Sequence, residues 1–401
     1  MQKDLVIVGG ARTAMAEYVG TPGYGLLKTV GANDLGAHAI AGALERSGVP
    51  ADQVDHVVMG NALQTGPDAI YGARHASLKG GLANEVPALT VNRICGSGIQ
   101  SIVSAGQMIL CGDAEVVVAG GMENMSQAPH IIRGARDGFR LGGAPKIEDY
   151  LFESLMDPYC GFFMAQTAEN LATKYGISRE AQDEFAMRSH KLGTAAVQNG
   201  LFAEEIVPIT VKRGRKEFVV DTDDHIKPDT SFEQLQKLRA AFGKEGTVTA
   251  GNASGIVDGG AAVIVTTAER AAAEGWAIRA HIRSWGISGV EPEIMGIGPV
   301  PSMRLAAEKV GMTVHDMDFI EINEAFSAQF LACEKVLELD REKCNVNGGA
   351  VAIGHPLAAT GTRLVLTLYH QLERAKAEFG MASACIGGGQ GIALLIQRPV
   401  A

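Results

Sequence analysis

Short apolar runs that predict buried strands alternate along the chain with stretches of helical periodicity. Residues 5–9 form an apolar run closed by two glycines, and residues 34–47 place apolar side chains three and four positions apart, as on one face of a helix. A second strand is predicted over residues 53–60. The same order returns far downstream, where a predicted helix over residues 303–310 precedes a strand that Asn323 directly follows.

A second pattern also occurs twice, and it surrounds the residues with the most reactive side chains. Around Cys95, a strand, a glycine-rich turn, a helix and a second strand closed by two glycines follow one another. Residues 345–396 repeat this order around His355, with a helix that includes residues 364–372 and a strand closed by three glycines. We infer an internal duplication of an α/β unit, with helices packed on mostly parallel sheets.

The segment between the two halves is more polar. Basic and acidic side chains crowd a glycine-rich stretch over residues 133–149, and Ser178 is placed to cap an amphipathic helix. Apolar strand character returns at residues 261–265. The predicted division is an N-terminal domain over residues 1–125, an inserted loop domain over 126–250, a return to the N-terminal domain over 251–275, and a C-terminal domain over 276–401.

Composition narrows the class of protein. The 401 residues include 35 basic and 45 acidic side chains, for a formal net charge of −10, which disfavours nucleic acid as the main partner. Glycine contributes 50 residues, about 12% against a usual share of about 7%. There is no three-residue period as in collagen, so we expect these glycines in tight turns and close backbone approaches.

The cysteines and the apolar runs indicate a compartment. The six cysteines show no C-x-x-C spacing, so neither a zinc ribbon nor a disulfide framework is indicated. The first residues lead straight into a strand pattern, and no apolar stretch of about 18 residues is recognised. We therefore expect a cytoplasmic protein with free thiols, without a metal site and without a membrane partner.

Cys95 is the first candidate for chemistry. It lies between a predicted strand and a predicted helix in the sequence N-R-I-C-G-S-G. The positive end of the helix would stabilise a thiolate and lower the pKa of this cysteine, and the two glycines leave N–H groups open to a carbonyl oxygen. The competing interpretation is a buried structural cysteine, which we assign to Cys111 and Cys333 on apolar helix faces.

His355 is the second candidate. It lies in the sequence A-I-G-H-P-L, and Pro356 disfavours helical φ/ψ angles for the residue before it, which predicts a stiff loop. A neutral imidazole there could accept a proton from a thiol near pH 7. A lone histidine is also commonly a structural residue.

Two further motifs follow predicted strands in the second half. Cys385 precedes three glycines, whose N–H groups could complete an anion site. By itself this motif is better explained as relief of side-chain clash at a sheet edge. Asn323 and Glu324 come directly after a strand, where open α/β sheets place their ligands, although asparagine there is ordinarily a turn former or helix N-cap.

Taken together, these motifs resemble those of the thiolases. Cys95 in C-G-S-G, Asn323 in N-E-A-F, His355 in G-H-P and Cys385 in C-x-G-G-G follow that family's order over nearly the whole chain. The segments G-N-A-S-G-I-V-D-G and M-G-I-G-P are similar to those of acetyl-CoA acetyltransferases. The resemblance implies an α/β fold with five α-β-α-β-α layers, formed by two duplicated α/β domains and an inserted loop domain, and a homo-oligomer, either dimer or tetramer.

The resemblance also implies an activity and a role for each motif. The activity is acyl transfer between CoA thioesters in either direction, with CoA and acyl-CoA as substrates and no further cofactor. Cys95 would take the acyl group, His355 would activate it, and Cys385 would remove or return the α-proton of the second acetyl-CoA. One oxyanion site would consist of the N–H groups of Cys95 and Gly387, the other of His355 with a water held by Asn323.

The positions that match the family's CoA contacts lie mostly in the predicted loop domain. The resemblance places Ser254 near the pantetheine and Lys227 near the nucleotide end of CoA. The remaining substrate-binding positions implied in this way are Leu155, Phe163, Met164, Ala250, Met295 and Phe326.

The chain departs from the family pattern at two places. Phe163 stands in G-F-F-M-A where acetyl-CoA-specific biosynthetic thiolases usually have histidine, which leaves the preferred acyl-chain length open. Ala358 adds a methyl group in P-L-A-A-T-G, where glycine is commoner.

The alternatives are a longer-chain degradative 3-ketoacyl-CoA thiolase of fatty-acid β-oxidation and a non-catalytic acyl-CoA- or lipid-binding protein. Ketoacyl synthases share a nucleophilic cysteine but normally use two histidines, or a histidine and an asparagine. The second cysteine, Cys385, therefore disfavours that class.

Overall fold

A computed structural model describes residues 3–243 and 245–399. The strands are β1 Leu5–Arg12, β2 Ala16–Glu17, β3 His56–Gly60, β4 Ala88–Val91, β5 Val117–Glu123, β6 His130–Ile132, β7 Ile147–Asp149, β8 Met156–Asp157, β9 Phe162–Phe163, β10 Ile209–Arg213, β11 Lys216–Val220, β12 Val257–Thr267, β13 Ala280–Gly289, β14 Phe319–Ile322, β15 Phe379–Ile386 and β16 Gln390–Gln397. The helices are α1 Ala32–Ser47, α2 Gly72–Lys79, α3 Ser97–Cys111, α4 Tyr150–Ser154, α5 Met164–Tyr175, α6 Arg179–Gln198, α7 Phe232–Gln236, α8 Ala268–Glu274, α9 Pro299–Glu308, α10 Ser327–Leu337, α11 Ala350–Ile353 and α12 Leu357–Ala375.

The main sheet consists of two halves with the same strand order. It runs β14-β15-β16-β13-β1-β12-β5-β3-β4, and β13 meets β1 through only two residue pairs. In the second half, an isolated parallel bridge between Ile320 and Cys344 occupies the place that β4 has in the first. The repeated order confirms the predicted duplication.

The expectation of mostly parallel sheets is wrong. Among the strands of the described residues, β3–β4, β3–β5 and β14–β15 pair in parallel, while the other strand pairs of this sheet are antiparallel. The reason is local in the case of β15 and β16, which are joined by the short turn 387–389. A turn of that length can join only antiparallel strands.

Five layers follow from the packing of helices on the two half-sheets. α1 and α2 pack on the outer face of the first half, and α9 and α10 on the outer face of the second. α3 and α12 lie between the halves, where apolar side chains of both helices and both half-sheets form one cluster. This is the predicted α-β-α-β-α arrangement.

The central helix α3 corrects two sequence predictions. Ile94–Cys111 has a mean hydropathy of 1.3 over 18 residues, so it is long and apolar enough to cross a membrane, and the expectation that no apolar stretch reaches about 18 residues is wrong. The core helix of a folded domain can have the same length and composition, and this one packs in the middle layer. Cys111, at its last turn, is exposed rather than buried, whereas Cys333 is buried as predicted.

The polar segment between β5 and β12 is fastened to β1 by buried charges. Fully buried Arg12 pairs with Asp223 at 2.8 Å and with Glu205 at 2.7 Å. Within this segment Ser178 caps α6 as predicted, with its hydroxyl accepting a hydrogen bond from Ala181 N.

Candidate active site

Cys95 lies in a single 3-10 turn between β4 and α3. Ile94 before it has a φ of +47°, a left-handed conformation that is costly for a β-branched residue. Two side chains hold this turn: Asn92 Oδ1 accepts from Ile94 N at 2.9 Å, and Ser97 Oγ donates to Ile94 O at 2.7 Å while accepting from Arg93 N. Cys95 is therefore held in a strained loop at the start of the helix.

The thiol of Cys95 is buried, and burial decides its pKa. Leu63, Met125, Leu151 and Leu357 pack around it. Loss of solvent raises the pKa of Cys95 to about 12, although the N–H groups of Gly387 and of Cys95 itself oppose the rise by hydrogen bonding. The lowering expected from the helix N-terminus is thus wrong, because desolvation disfavours the thiolate more than the helix favours it.

His355 is oriented by a hydroxyl that the sequence analysis did not select. Its Nδ1 lies 2.6 Å from Thr360 Oγ1, and that hydroxyl donates to the carbonyl of Pro356 at 3.3 Å. Because the Thr360 proton is used in this way, we assign the proton of the ring to Nδ1 and the lone pair to Nε2.

Asn323 closes the other side of the ring. Its Nδ2 lies 3.3 Å from His355 Nε2, and its own backbone N–H donates to Ser383 O at 2.9 Å. The buried Oδ1 of Asn323 has no hydrogen-bond partner in the described part of the chain. The helix N-cap interpretation is wrong, because α10 begins only at Ser327.

The ring of His355 stays neutral. Burial, with a smaller contribution from the positive charge of Arg363, lowers the pKa of His355 to about 3. Arg363 is itself buried and pairs with Glu321 at 3.4 Å. A neutral ring whose Nε2 lone pair is engaged only by the 3.3 Å contact with Asn323 Nδ2 can accept a proton from a thiol that displaces this contact.

Cys385 lies next to the end of β15, with β14 and β16 on either side, so the explanation by a sheet edge is wrong. Its thiol is fully buried, and its pKa is raised by burial and by the nearby Cys95. In the turn that follows, Gly388 and Gly389 have φ of +81° and +80°, which other residues rarely adopt. The structure therefore brings two cysteines, His355 and Asn323 to one place from four distant segments.

Several predicted substrate-contacting residues lie around Cys385. Met164, Met295 and Phe326 pack in one cluster with it. Ser254 lies beside this cluster, with its N–H bonded to Ala325 O at 3.0 Å.

The other predicted contacts are not members of this cluster. Leu155 accepts a backbone hydrogen bond from Met164 at 2.8 Å, and Ala250 is exposed in a turn. Phe163 belongs to an aromatic group, with ring centroids 4.6 Å from Phe152 and 5.1 Å from Phe242.

Lys227 is engaged within the protein. Its Nζ pairs with Glu17 at 3.2 Å and lies 4.0 Å from the centroid of the Tyr24 ring.

The sequence signals for the missed residues are weak. Thr360 is five positions after His355 in a helical stretch, and Arg363 is a lone charge among the apolar residues of the first part of a helix. Neither belongs to a motif with a recognisable spacing. Their importance follows from contacts that only the folded chain creates.

Comparison with known proteins identifies relatives over nearly the full length. The model of the thiolase N-terminal domain matches residues 5–269, and that of the thiolase C-terminal domain matches residues 276–398. The human protein named 3-ketoacyl-CoA thiolase, mitochondrial, is 47% identical over 395 residues, 98% of each chain. An acetyl-CoA acetyltransferase of Cupriavidus necator is 46% identical over 396 residues, 98% of this chain and 99% of that one. The crystal structure of human mitochondrial 3-ketoacyl-CoA thiolase in complex with CoA has a TM-score of 0.95 at 47% identity, covering 100% of this chain and 99% of that one.

Proposed function

The chain belongs to the thiolase family, and from this membership we propose how its residues divide the reaction. It is an acyltransferase that moves an acyl group between CoA thioesters.

In the first step, Cys95 attacks the carbonyl carbon of an acyl-CoA. The thiol proton passes to Nε2 of His355, the new S–C bond forms, and the bond to the CoA sulfur breaks. The proton then goes to the departing CoA thiolate. The observation that supports this step best is the orientation of His355, whose Nδ1 is held by Thr360 at 2.6 Å so that Nε2 keeps its lone pair.

In the second step, the thiolate form of Cys385 removes a proton from the α-carbon of a second acetyl-CoA. The resulting carbanion attacks the acyl group on Cys95, a C–C bond forms, and the Cys95 sulfur leaves as a thiolate. The proton on Cys385 then passes to that thiolate, which restores both cysteines. In the reverse direction Cys385 returns the proton during cleavage of a 3-ketoacyl-CoA. A thiol whose pKa is raised by burial and by Cys95 is a suitable proton donor at neutral pH.

Two oxyanion sites would stabilise the charges that develop. The N–H groups of Gly387 and Cys95 lie close enough to the Cys95 sulfur to oppose the rise of its pKa, so a tetrahedral carbon on that sulfur would place its oxygen near them. For the enolate, a water held by Asn323, whose buried Oδ1 has no partner in the described chain, would donate a hydrogen bond, and His355 would join it only while Nε2 carries a proton. Donors held in place before the reaction lower the barrier most.

We propose acetyl-CoA and short 3-ketoacyl-CoA as the substrates, with both condensation and thiolysis. The bulky group of Phe163, Phe152 and Phe242 supports a restricted acyl pocket beside Met164. The alternative is a longer-chain 3-ketoacyl-CoA thiolase, since relatives with both names are 46–47% identical to the chain. Thiolysis rates across a series of 3-ketoacyl-CoA chain lengths distinguish the two, because a maximum beyond the short chains contradicts the proposal.

The working state is also a proposal. We propose a cytoplasmic homo-oligomer, dimer or tetramer, that uses CoA and acyl-CoA as substrates without a further cofactor. The predicted division into an N-terminal domain, an inserted loop domain and a C-terminal domain remains part of this proposal. Light scattering of the purified protein tests the oligomer, and a monomer at working concentration contradicts it.

Mass spectrometry after treatment with acetyl-CoA tests the chemical roles. Cys95→Ala should remove the acetyl label, and a mutant labelled as strongly as the parent contradicts the assignment. Cys385→Ala should accept the label on Cys95 yet fail to make acetoacetyl-CoA. Continued synthesis in that variant excludes Cys385 from proton transfer, and binding without any CoA-dependent cleavage in the parent supports a non-catalytic protein instead.

A further inference from the structure

A buried carboxylate that none of these roles uses lies between the two loops of the site. Glu123 ends β5, and its side chain is fully buried. One oxygen accepts N–H hydrogen bonds from the Asn61 side chain and the Leu63 backbone, both 2.9 Å long. The other oxygen accepts from the backbone of Ala62 and of Ala358, both at 3.1 Å. N–H donors thus occupy the full acceptor capacity of the carboxylate.

Three of these donors belong to the loop that follows β3, and this loop is connected to the loop of Cys95. The carbonyl of Ala62 accepts a hydrogen bond from Asn92 Nδ2 at 3.3 Å. Asn92 Oδ1 in turn accepts from Ile94 N at 2.9 Å, directly before Cys95. A short chain of hydrogen bonds therefore leads from Glu123 to the nucleophile.

The fourth donor belongs to the segment of His355. Ala358 lies in the first turn of α12, three residues after His355, where the N-terminus of a helix favours a negative charge. Leu357 beside it packs in the same cluster as Leu63 and Cys95. The two parts of the chain that Glu123 binds thus meet at the thiol.

We propose that Glu123 is a positioning residue for acyl transfer. It ties the loop after β3 and the first turn of α12 to one rigid carboxylate, and this fixes His355 relative to Cys95. The proposal rests on the roles proposed above for these two residues. A displacement of about 1 Å between reacting groups can cost about a hundredfold in rate, so the loss of this tie should reduce turnover without removing a reacting group.

The charge of Glu123 acts on Cys95 as well. Burial raises the pKa of Glu123 to about 7, with the N–H groups of Leu63, Ala62 and Ala358 opposing the rise and the charge of Asp258 adding to it. The charge of Glu123 raises the pKa of Cys95. Removing that charge should therefore let Cys95 ionise at lower pH, although the same change weakens the position of His355.

Glu123→Gln separates these two effects. The variant keeps the size of the side chain but turns an NH₂ group toward two N–H donors in either amide orientation. We expect kcat for thiolysis to fall about ten- to hundredfold, with KM for CoA near the parental value. The rate of Cys95 alkylation by iodoacetamide can be measured by mass spectrometry at a series of pH values, and its pH profile should shift to lower pH. Structural damage alone would slow both reactions.

Two further variants complete the test. Asp258→Asn neutralises a buried carboxylate whose described partner is Ser126, so its kcat should stay near that of the parent. Glu123→Asp keeps the negative charge but shortens the side chain by one methylene group, so kcat should fall while the pH profile of alkylation stays unchanged. This variant replaces Glu123→Gln in the test if Glu123→Gln does not fold. The proposal is overturned if folded Glu123→Gln keeps the parental kcat, if kcat and alkylation fall together, or if Asp258→Asn loses as much. Acetyl labelling of Cys95 in the parental protein tests the proposed function separately.

Discussion

The hydroxyl of Thr360 should control the rate at which Cys95 is acylated. Thr360→Val removes the acceptor of the 2.6 Å hydrogen bond from His355 Nδ1 and replaces the hydroxyl with a methyl group of similar size. The Nδ1–H then has no partner in a buried position. The ring can avoid this loss by moving its proton to Nε2, but that tautomer cannot accept a proton from the thiol.

The expected size of the effect follows from the cost of an unpaired group. Leaving a buried N–H without a partner costs about 1–3 kcal/mol, and about 1.36 kcal/mol in the barrier is a factor of ten in rate. If the whole cost falls on the reacting state, acylation slows by roughly 5- to 150-fold. KM should change little, because Thr360 contacts His355 and Pro356 and is fully buried.

Rapid mixing with acetyl-CoA, acid quenching and intact-mass spectrometry measure the acylation step directly. Thr360→Ser is the matched control, since it keeps a hydroxyl at the same position and should retain most of the parental rate. The reasoning is refuted if folded Thr360→Val is acylated as fast as the parent. It is also refuted if the Ser and Val variants slow equally, because the hydroxyl would then have no special part.

Three further outcomes follow from the structure. Burial and the nearby Arg363 lower the pKa of His355 to about 3, so the ring remains neutral even at pH values below the ordinary pKa of histidine. The pH profile of kcat/KM should therefore show no titration of His355 near about pH 6.5. A change of slope near that pH, in a protein whose fold is stable there, contradicts this expectation. Arg12→Met leaves the buried carboxylates of Asp223 and Glu205 without their cation, so the free energy of unfolding measured in urea should fall by about 3–5 kcal/mol. A decrease below about 1 kcal/mol, as for a surface ion pair, contradicts the buried network. Gly121→Ala adds a Cβ that overlaps the carbonyl oxygen of Ala358 and should lower stability by about 1–3 kcal/mol or more; an unchanged melting temperature means that β5 and α12 do not approach so closely.

Much of the architecture was predictable from local pattern. Residues 5–9 and 34–47 correspond to parts of β1 and α1, and the strand before Asn323 is β14. These elements follow the spacing of apolar residues, which a strand or helix must present to a core. The strand predicted over residues 53–60 begins only at His56, because a 3-10 turn precedes it.

The sequence by itself determined the alternation of elements, the duplication, and the four motif residues Cys95, Asn323, His355 and Cys385, since each of these is written in neighbouring residues. Only the tertiary structure decided the mixed strand order, the direction of the Cys95 pKa shift, the tautomer of His355 set by Thr360 and the hydrogen bonds of Glu123 to both loops. The physical reason is that desolvation and hydrogen bonding depend on groups far apart in the chain. A thiol at a helix start has a low pKa in water, but here segments distant in sequence enclose it, and their burial outweighs the helix.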